Sequence, residues 1–346
     1  VASSPPLRSV PSGIPHPGDI PDAADPVGRV GSADDEARSF APLYLAGQTG
    51  SGKSVVAMAL AELVPPAEIV NADAYQIYSG LETLCAGPAQ EERARVPHHL
   101  YGLLPPTESC DAARFADLAR RAIAEVGERA LPIVVGGSGL YLKAVTHGLA
   151  PVPKGDPDLR ARLDTETLEA LVARYRELDP EGASRTNLKN RRYVARNLEI
   201  TLLAGRPASE LKAAWERERP PIRAAYLQRP RETVYRRIDR RARDMLEQGA
   251  PEEVARAAAL GLSPTAAKAI GVEEILALLR GDLDEDGCLE AIRRRTRRYA
   301  KRQETWFRRE PAFLPFPVAD EETPDATARR IAERFGMRPR QRQEKE

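Results

Sequence analysis

The stretch APLYLAGQTGSGKSVVAMALAELV (41–64) leaves room for few folds. An apolar run ends in glycine, eight residues read GQTGSGKS, and a segment of helical composition follows at once. Residues 47–54 match G-x-x-x-x-G-K-[ST], in which glycines let successive backbone N–H groups point at phosphate oxygens. The helix behind adds the positive end of its dipole. Such a loop needs a strand before it and a helix after it, and the flanking residues predict both. Gly47, Gln48, Thr49, Gly50, Ser51, Gly52, Lys53 and Ser54 are therefore the candidate phosphate-binding residues. Lys53 brings a cation and Ser54 a hydroxyl for Mg²⁺, the one cofactor the pattern implies. Whose phosphates they are stays open: those of ATP, or those of a leaving group on another substrate.

PAEIVNAD (66–73) and LPIVVGG (131–137) read as further strands, and the helical spacing of ARFADLARRAIAEVGERA (113–130) predicts a helix between them. The third run is apolar throughout, as a strand buried on both faces must be. Alternating strands and helices predict a P-loop NTPase-like α/β core with a parallel sheet and ligands at the carboxyl ends of its strands. After Pro151-Val152-Pro153 the pattern changes to helices with charged faces, and IRAAYLQ (222–228) then returns as a strand. The boundaries expected are a first core part at 42–154, a helical insertion at 155–215, a second core part at 216–318 with a basic C-terminal helix, and a tail at 319–346. Residues 1–41, rich in Pro, Gly, Ser and Asp, predict a disordered extension, with the working protein starting near Pro42. Disorder is also the expectation for MRPRQRQEKE (337–346).

Lys and Arg number 52 against 51 for Asp and Glu, so any nucleic-acid binding must come from local clusters. One such cluster lies in LEAIRRRTRRYAKRQETWFRR (289–309). Leu289, Ile292, Thr296, Tyr299, Ala300, Trp306 and Phe307 form a stripe suited to packing, whereas Arg294, Arg297, Arg298 and Lys301 fall on another face. Three scattered cysteines, Cys85, Cys110 and Cys288, offer neither a disulfide framework nor a zinc site, and suit a reducing compartment. No run approaches the ~18 apolar residues of a spanning helix, and no signal peptide is legible, so the expectation is a cytoplasmic protein. His98 and His99 lack metal-ligand spacing with any cysteine and read as structural or pocket-lining. Asp73 closes the second strand where it faces the phosphates: it can hold metal, act as a base, or cap the next helix.

Seven blocks in order, GQTGSGKS, NADAYQIYSGL, VPHHLYG, LPIVVGGSGLYLKAV, KNRRYVARNLEITLLAGRPAS, KAIGVEE and TRRYAKRQETWFRR, together resemble the tRNA dimethylallyltransferases. The resemblance spans residues 42–310. It implies that the loop holds the diphosphate of dimethylallyl diphosphate, and that the allyl group passes to N6 of adenine 37 in the tRNA anticodon loop. It implies Asp73 as general base, Lys53 and Arg241 beside the diphosphate, and Ser138, where the family usually has threonine, between donor and adenine. It implies tRNA contacts by Asp73, Ala74, Tyr75 and Gln76, by Ser138, by Arg192, Tyr193, Val194, Ala195 and Arg196, and by Lys301, Arg302, Gln303 and Trp306. A monomer serving one tRNA is the simplest expectation, and the target adenine must leave its stack. The chain departs from the family in carrying TLCAGP (83–88) for a G-T-A-K-P run. Competing readings are a P-loop kinase of nucleosides or nucleotides, an enzyme alkylating free AMP or ADP, and a non-catalytic RNA-binding protein.

Overall fold

The computed structural model describes residues 40–217 and 221–338. The disorder expected of residues 1–41 and 337–346 falls, but for residues 40, 41, 337 and 338, outside the described residues. Six strands form the sheet: β1 (Leu43–Gly47), β2 (Ala67–Asn71), β3 (His98–His99), β4 (Leu131–Gly136), β5 (Arg223–Gln228) and β6 (Leu314–Pro317). Their order is β3-β2-β4-β1-β5-β6, and every pairing is parallel. Every residue of β1 and β4 is buried, because helices cover both faces and each side chain meets a core whichever way it points.

The alternation shows in the two cores. Tyr44, Ala46, Val70 and Val134 join one cluster, while Leu43, Leu45, Ile69 and Ile133 join the other. The first face is covered by the helices Ala112–Gly127 and Gly139–His147, the former capped by Asp111, whose Oδ1 accepts from the backbone of Ala113 and Arg114 at 3.0 and 2.9 Å. The second face is covered by the helix after the phosphate loop, Lys53–Leu63, and by Pro324–Arg334.

That last helix corrects the expected tail. Thr323 caps it, Pro324 opens it, and Ala328, Ile331 and Ala332 are buried against the sheet. The signals for a helix start were all present in the sequence. β3 and β6 also escaped the sequence reading. The first is two residues long, and the second, LPFP, sits at the sheet edge, where prolines cost no ladder bond.

Residues 157–217 form five helices around a small core of their own, with Leu163, Leu171, Tyr175, Val194 and Leu198 at its centre. Its last helix returns to the sheet domain through Trp215, whose Nε1 donates to the carbonyl of His147 at 2.9 Å. Two long helices then complete the site region: Arg231–Glu247 and Glu285–Phe307.

Candidate active site

The carboxyl ends of β1, β2, β4 and β5 open on one side, and each carries a polar residue there: the phosphate loop, Asp73, Ser138 and Arg229. This is the crevice where a parallel sheet offers its loops to a ligand. The loop turns through Gly50 and Gly52 at φ of 80° and 84°, angles that a side chain would strain. It is tied from two sides. Thr49 N donates to Gln303 Oε1 at 2.9 Å, and Arg229 Nε donates to the Ser51 carbonyl at 2.9 Å. Gln303 Nε2 in turn donates to the Gly137 carbonyl at 2.7 Å, so one amide joins the loop after β1 to the loop after β4.

Beneath the loop lies a cavity of about 130 Å³. Thr49, Lys53, Ser54, Asp73, Tyr75, Gln76 and Arg241 form its polar wall, and Leu84, Ile238, Ala242, Met245, Ile270 and Ile292 its apolar one. The helix Arg231–Glu247 gives Ile238, Arg241, Ala242 and Met245 to it, a spacing that places all four on one face. Arg241 reaches the Thr49 hydroxyl at 3.4 Å. Burial pushes the Lys53 ammonium below the usual lysine range. Asp73 acts against that shift and Arg241 with it. Arg241 is lowered by burial too, with Cys85 and Asp73 opposing.

Asp73 is fixed by a turn of its own making. Its backbone N donates to Asn71 Oδ1 at 2.7 Å, and its Oδ1 accepts from Tyr75 N at 3.1 Å. Asn71, fully buried, also donates to the Leu100 carbonyl at 2.9 Å. Asp73 thus caps the turn that follows it and lines the cavity as well. Ser138 does not lie on the cavity wall. It begins the helix Gly139–His147 without capping it and neighbours Tyr299, which does line the cavity and whose phenol is pushed well above the usual range by burial, with Ser138 opposing. Of the stripe expected to pack, Ile292 is buried in the core as well as bordering the cavity, and Thr296 and Tyr299 are wall residues.

Several residues placed at the tRNA interface by resemblance are not free to meet RNA. Gln303 is 4% exposed, and its amide is used at both ends inside the protein. Val194 is buried in the core of the helical insertion, and Ala74 is buried beside the sheet. Arg196 donates to Glu199 Oε2 at 2.7 Å and to the Pro153 carbonyl at 3.0 Å. A block of consecutive helical residues spans every face of its helix, and only one face can meet a ligand. Arg297, counted with the basic patch, is paired through Nε and Nη2 with the two carboxylate oxygens of Asp239. Arg192, Tyr193, Lys301 and Arg302 are exposed. The last three, with Arg298 and Trp306, line a cleft of about 710 Å³ between the insertion and the helix Glu285–Phe307.

Thr49 spends its backbone N–H on Gln303, so that donor of the loop is not aimed at phosphate. Arg229, Asn71 and Tyr299 were missed from sequence. Arg229 holds the Ser51 carbonyl, 178 positions away, and Asn71 joins the turn at Asp73 to the Leu100 carbonyl, so no local spacing announces either. As for metal, no group of three or more His, Cys, Asp or Glu side chains capable of holding an ion occurs among the described residues. Ser54 and Asp73, both on the cavity wall, are hard oxygen donors of the kind Mg²⁺ takes when substrate phosphates and water complete its shell. The residues fit the ion in that shared form.

Residues 76–310 match a family model described as IPP transferase. A tRNA dimethylallyltransferase of Akkermansia muciniphila is 43% identical over 297 residues, covering 85% of this chain and 99% of the relative. Its counterpart in Phenylobacterium zucineum is 41% identical over 284 residues, covering 80% and 92%. Among solved structures, a tRNA isopentenylpyrophosphate transferase of Bacillus halodurans aligns with a TM-score of 0.63 at 31% identity, covering 86% of this chain and 96% of that one. A eukaryotic dimethylallyltransferase acting on tRNA aligns with a TM-score of 0.70 at 26% identity, covering 88% and 82%.

Proposed function

This chain belongs to the IPP transferase family, and from that premise we propose how its crevice performs the transfer. The chain is a tRNA dimethylallyltransferase, a prenyl transferase that modifies tRNA. One observation carries the reading at the site. A phosphate loop opens on a cavity whose far wall is apolar, lined by Leu84, Ile238, Ala242, Met245, Ile270 and Ile292. Such a wall suits the hydrocarbon end of an allyl diphosphate and offers nothing to the ribose of ATP.

In this reading the donor is dimethylallyl diphosphate and the acceptor is N6 of adenine 37. The diphosphate lies against the loop at residues 47–54, with Lys53 and Arg241 beside it. The N6–C1 bond forms as the C1–O bond breaks, and the electron pair of that bond leaves on diphosphate. Cations and N–H groups fixed beforehand stabilise the charge that develops there. The N6 proton passes to Asp73, whose free oxygen is available because the other is held by Tyr75 N. Ser54 would hold Mg²⁺ together with the diphosphate, and the ion would supply further neutralisation of the leaving group. Tyr299 stands at the adenine side of the cavity, with Ser138 behind it.

The tRNA lies along the exposed residues of the cleft, Tyr193, Arg298, Lys301 and Arg302, with Arg192 reaching the anticodon stem. Its target base swings out of the loop into the cavity. We further propose a helical tRNA-gripping domain near residues 155–215, a monomeric enzyme, and action in the cytoplasm. Among the described residues no helix is long and apolar enough to cross a membrane.

Labelled dimethylallyl diphosphate, unmodified tRNA with adenines at 36–38, and Mg²⁺ test the reading directly. Label on adenine 37 is the expected result. ATP consumption without transfer makes the chain a kinase, and equal transfer to free AMP removes the tRNA from the reaction.

A further inference from the structure

We infer that Leu84 and Met245 close the hydrocarbon end of the cavity and restrict the donor to a single five-carbon unit. The inference rests on the proposed donor and goes beyond it to what sets its length. Both residues lie in the TLCAGP stretch or on the helix bearing Arg241, and both face the cavity.

The helix Arg231–Glu247 measures the distance. Near its start it rests on the phosphate loop: a Cβ on Gly50 would lie 3.0 Å from the Val234 carbonyl and 3.3 Å from Ile238 Cγ1. Arg241, one turn on, reaches Thr49. Met245 is four residues beyond Arg241 on the same face, about 6 Å further along the helix axis and past the last residue that touches the loop. One isoprene unit spans such a distance, and two do not.

Leu84 closes the other side. It is 2% exposed and packs on Gly271, where a Cβ would come within 2.6 Å of Leu84 Cδ1. The wall there has no slack for a longer chain to push into. The departure from the family run at 83–88 therefore falls on the part of the site that reads the donor's tail.

The test uses the full chain, unmodified tRNA and Mg²⁺, with dimethylallyl or geranyl diphosphate as donor, and weighs the product nucleoside by mass spectrometry. Wild type is expected to favour the five-carbon donor by about 100-fold or more in kcat/KM. Leu84→Ala and Met245→Ala each extend the cavity and are expected to cut that preference at least tenfold. Two variants are used because the truncation at Leu84 empties a packed position. Comparable use of both donors by wild type overturns the inference. So does an unchanged preference in a variant that still transfers the five-carbon group. No transfer from dimethylallyl diphosphate by wild type overturns the proposed function instead, and the inference falls with it.

Discussion

Replacing Gln303 by alanine separates two roles that its position in the chain confuses. It stands in a segment, 301–306, that the resemblance gives to tRNA, yet its amide bonds to Thr49 N and the Gly137 carbonyl. Truncation leaves both groups without their partner. The Gly137 carbonyl belongs to a buried bond, and losing it costs about 2 kcal/mol; Thr49 N borders the cavity, where water can reach it, and costs about 1 kcal/mol. The expected loss of stability is therefore about 3 kcal/mol, read from the urea midpoint at unchanged slope.

The same change releases the loop after β1 from the loop after β4. Misplacing the phosphate cradle should lower kcat/KM for the donor by roughly 10–100-fold. Affinity for tRNA, measured by filter binding with the donor left out, should stay within about twofold, since a 4%-exposed side chain offers RNA nothing. Gln303→Glu sharpens the contrast. It keeps an acceptor for Thr49 N but sets a carboxylate oxygen against the Gly137 carbonyl, and should be no more stable than the alanine variant. Weakened tRNA binding with stability and donor kinetics intact would refute the reasoning and return Gln303 to the RNA interface.

Asp73→Asn preserves an oxygen for Tyr75 N and removes the base, so single-turnover transfer should slow by about 10²–10⁴-fold while tRNA affinity holds; full turnover would dismiss Asp73 as the base. Burial lowers the Lys53 pKa, so the cation needed for diphosphate is lost as pH rises through a value below that of a free lysine. Donor affinity should fall on that alkaline limb, and the limb should vanish in Lys53→Arg. The stability effect of Lys53 has the opposite sign. Between the lowered folded pKa and the ordinary unfolded one, the unfolded chain binds more protons, so this residue's contribution improves with rising pH. Changing Arg298, Lys301 and Arg302 together to glutamine should flatten the salt dependence of tRNA binding by about 2 in log–log slope, at roughly 0.7 per lost phosphate contact. Arg297→Gln, whose native guanidinium is held by Asp239, should change that slope little and lower stability instead.

The phosphate loop, the four longer strands and the helical character of residues 157–217 were legible because each is written locally: glycines at fixed offsets, unbroken apolar runs, charged helical faces. The family, too, could be read from short blocks in order. What the chain alone could not say is which side of each helix faces what. Gln303 and Trp306 are three residues apart, yet one bridges two loops and the other lines an open cleft. Arg297 and Arg298 are neighbours, yet one is paired with Asp239 and the other is exposed. Likewise Thr296 and Tyr299 could pass for a packing stripe until the helix Arg231–Glu247 came to lie across from them and left a cavity between. Local pattern is enough to specify the elements and the chemistry of the loop, since backbone preference and hydrophobic period act over a few residues. Which side chains share the cavity and which are tied up within the protein depends on packing, because those contacts join residues 166 and 254 positions apart, as at Gln303.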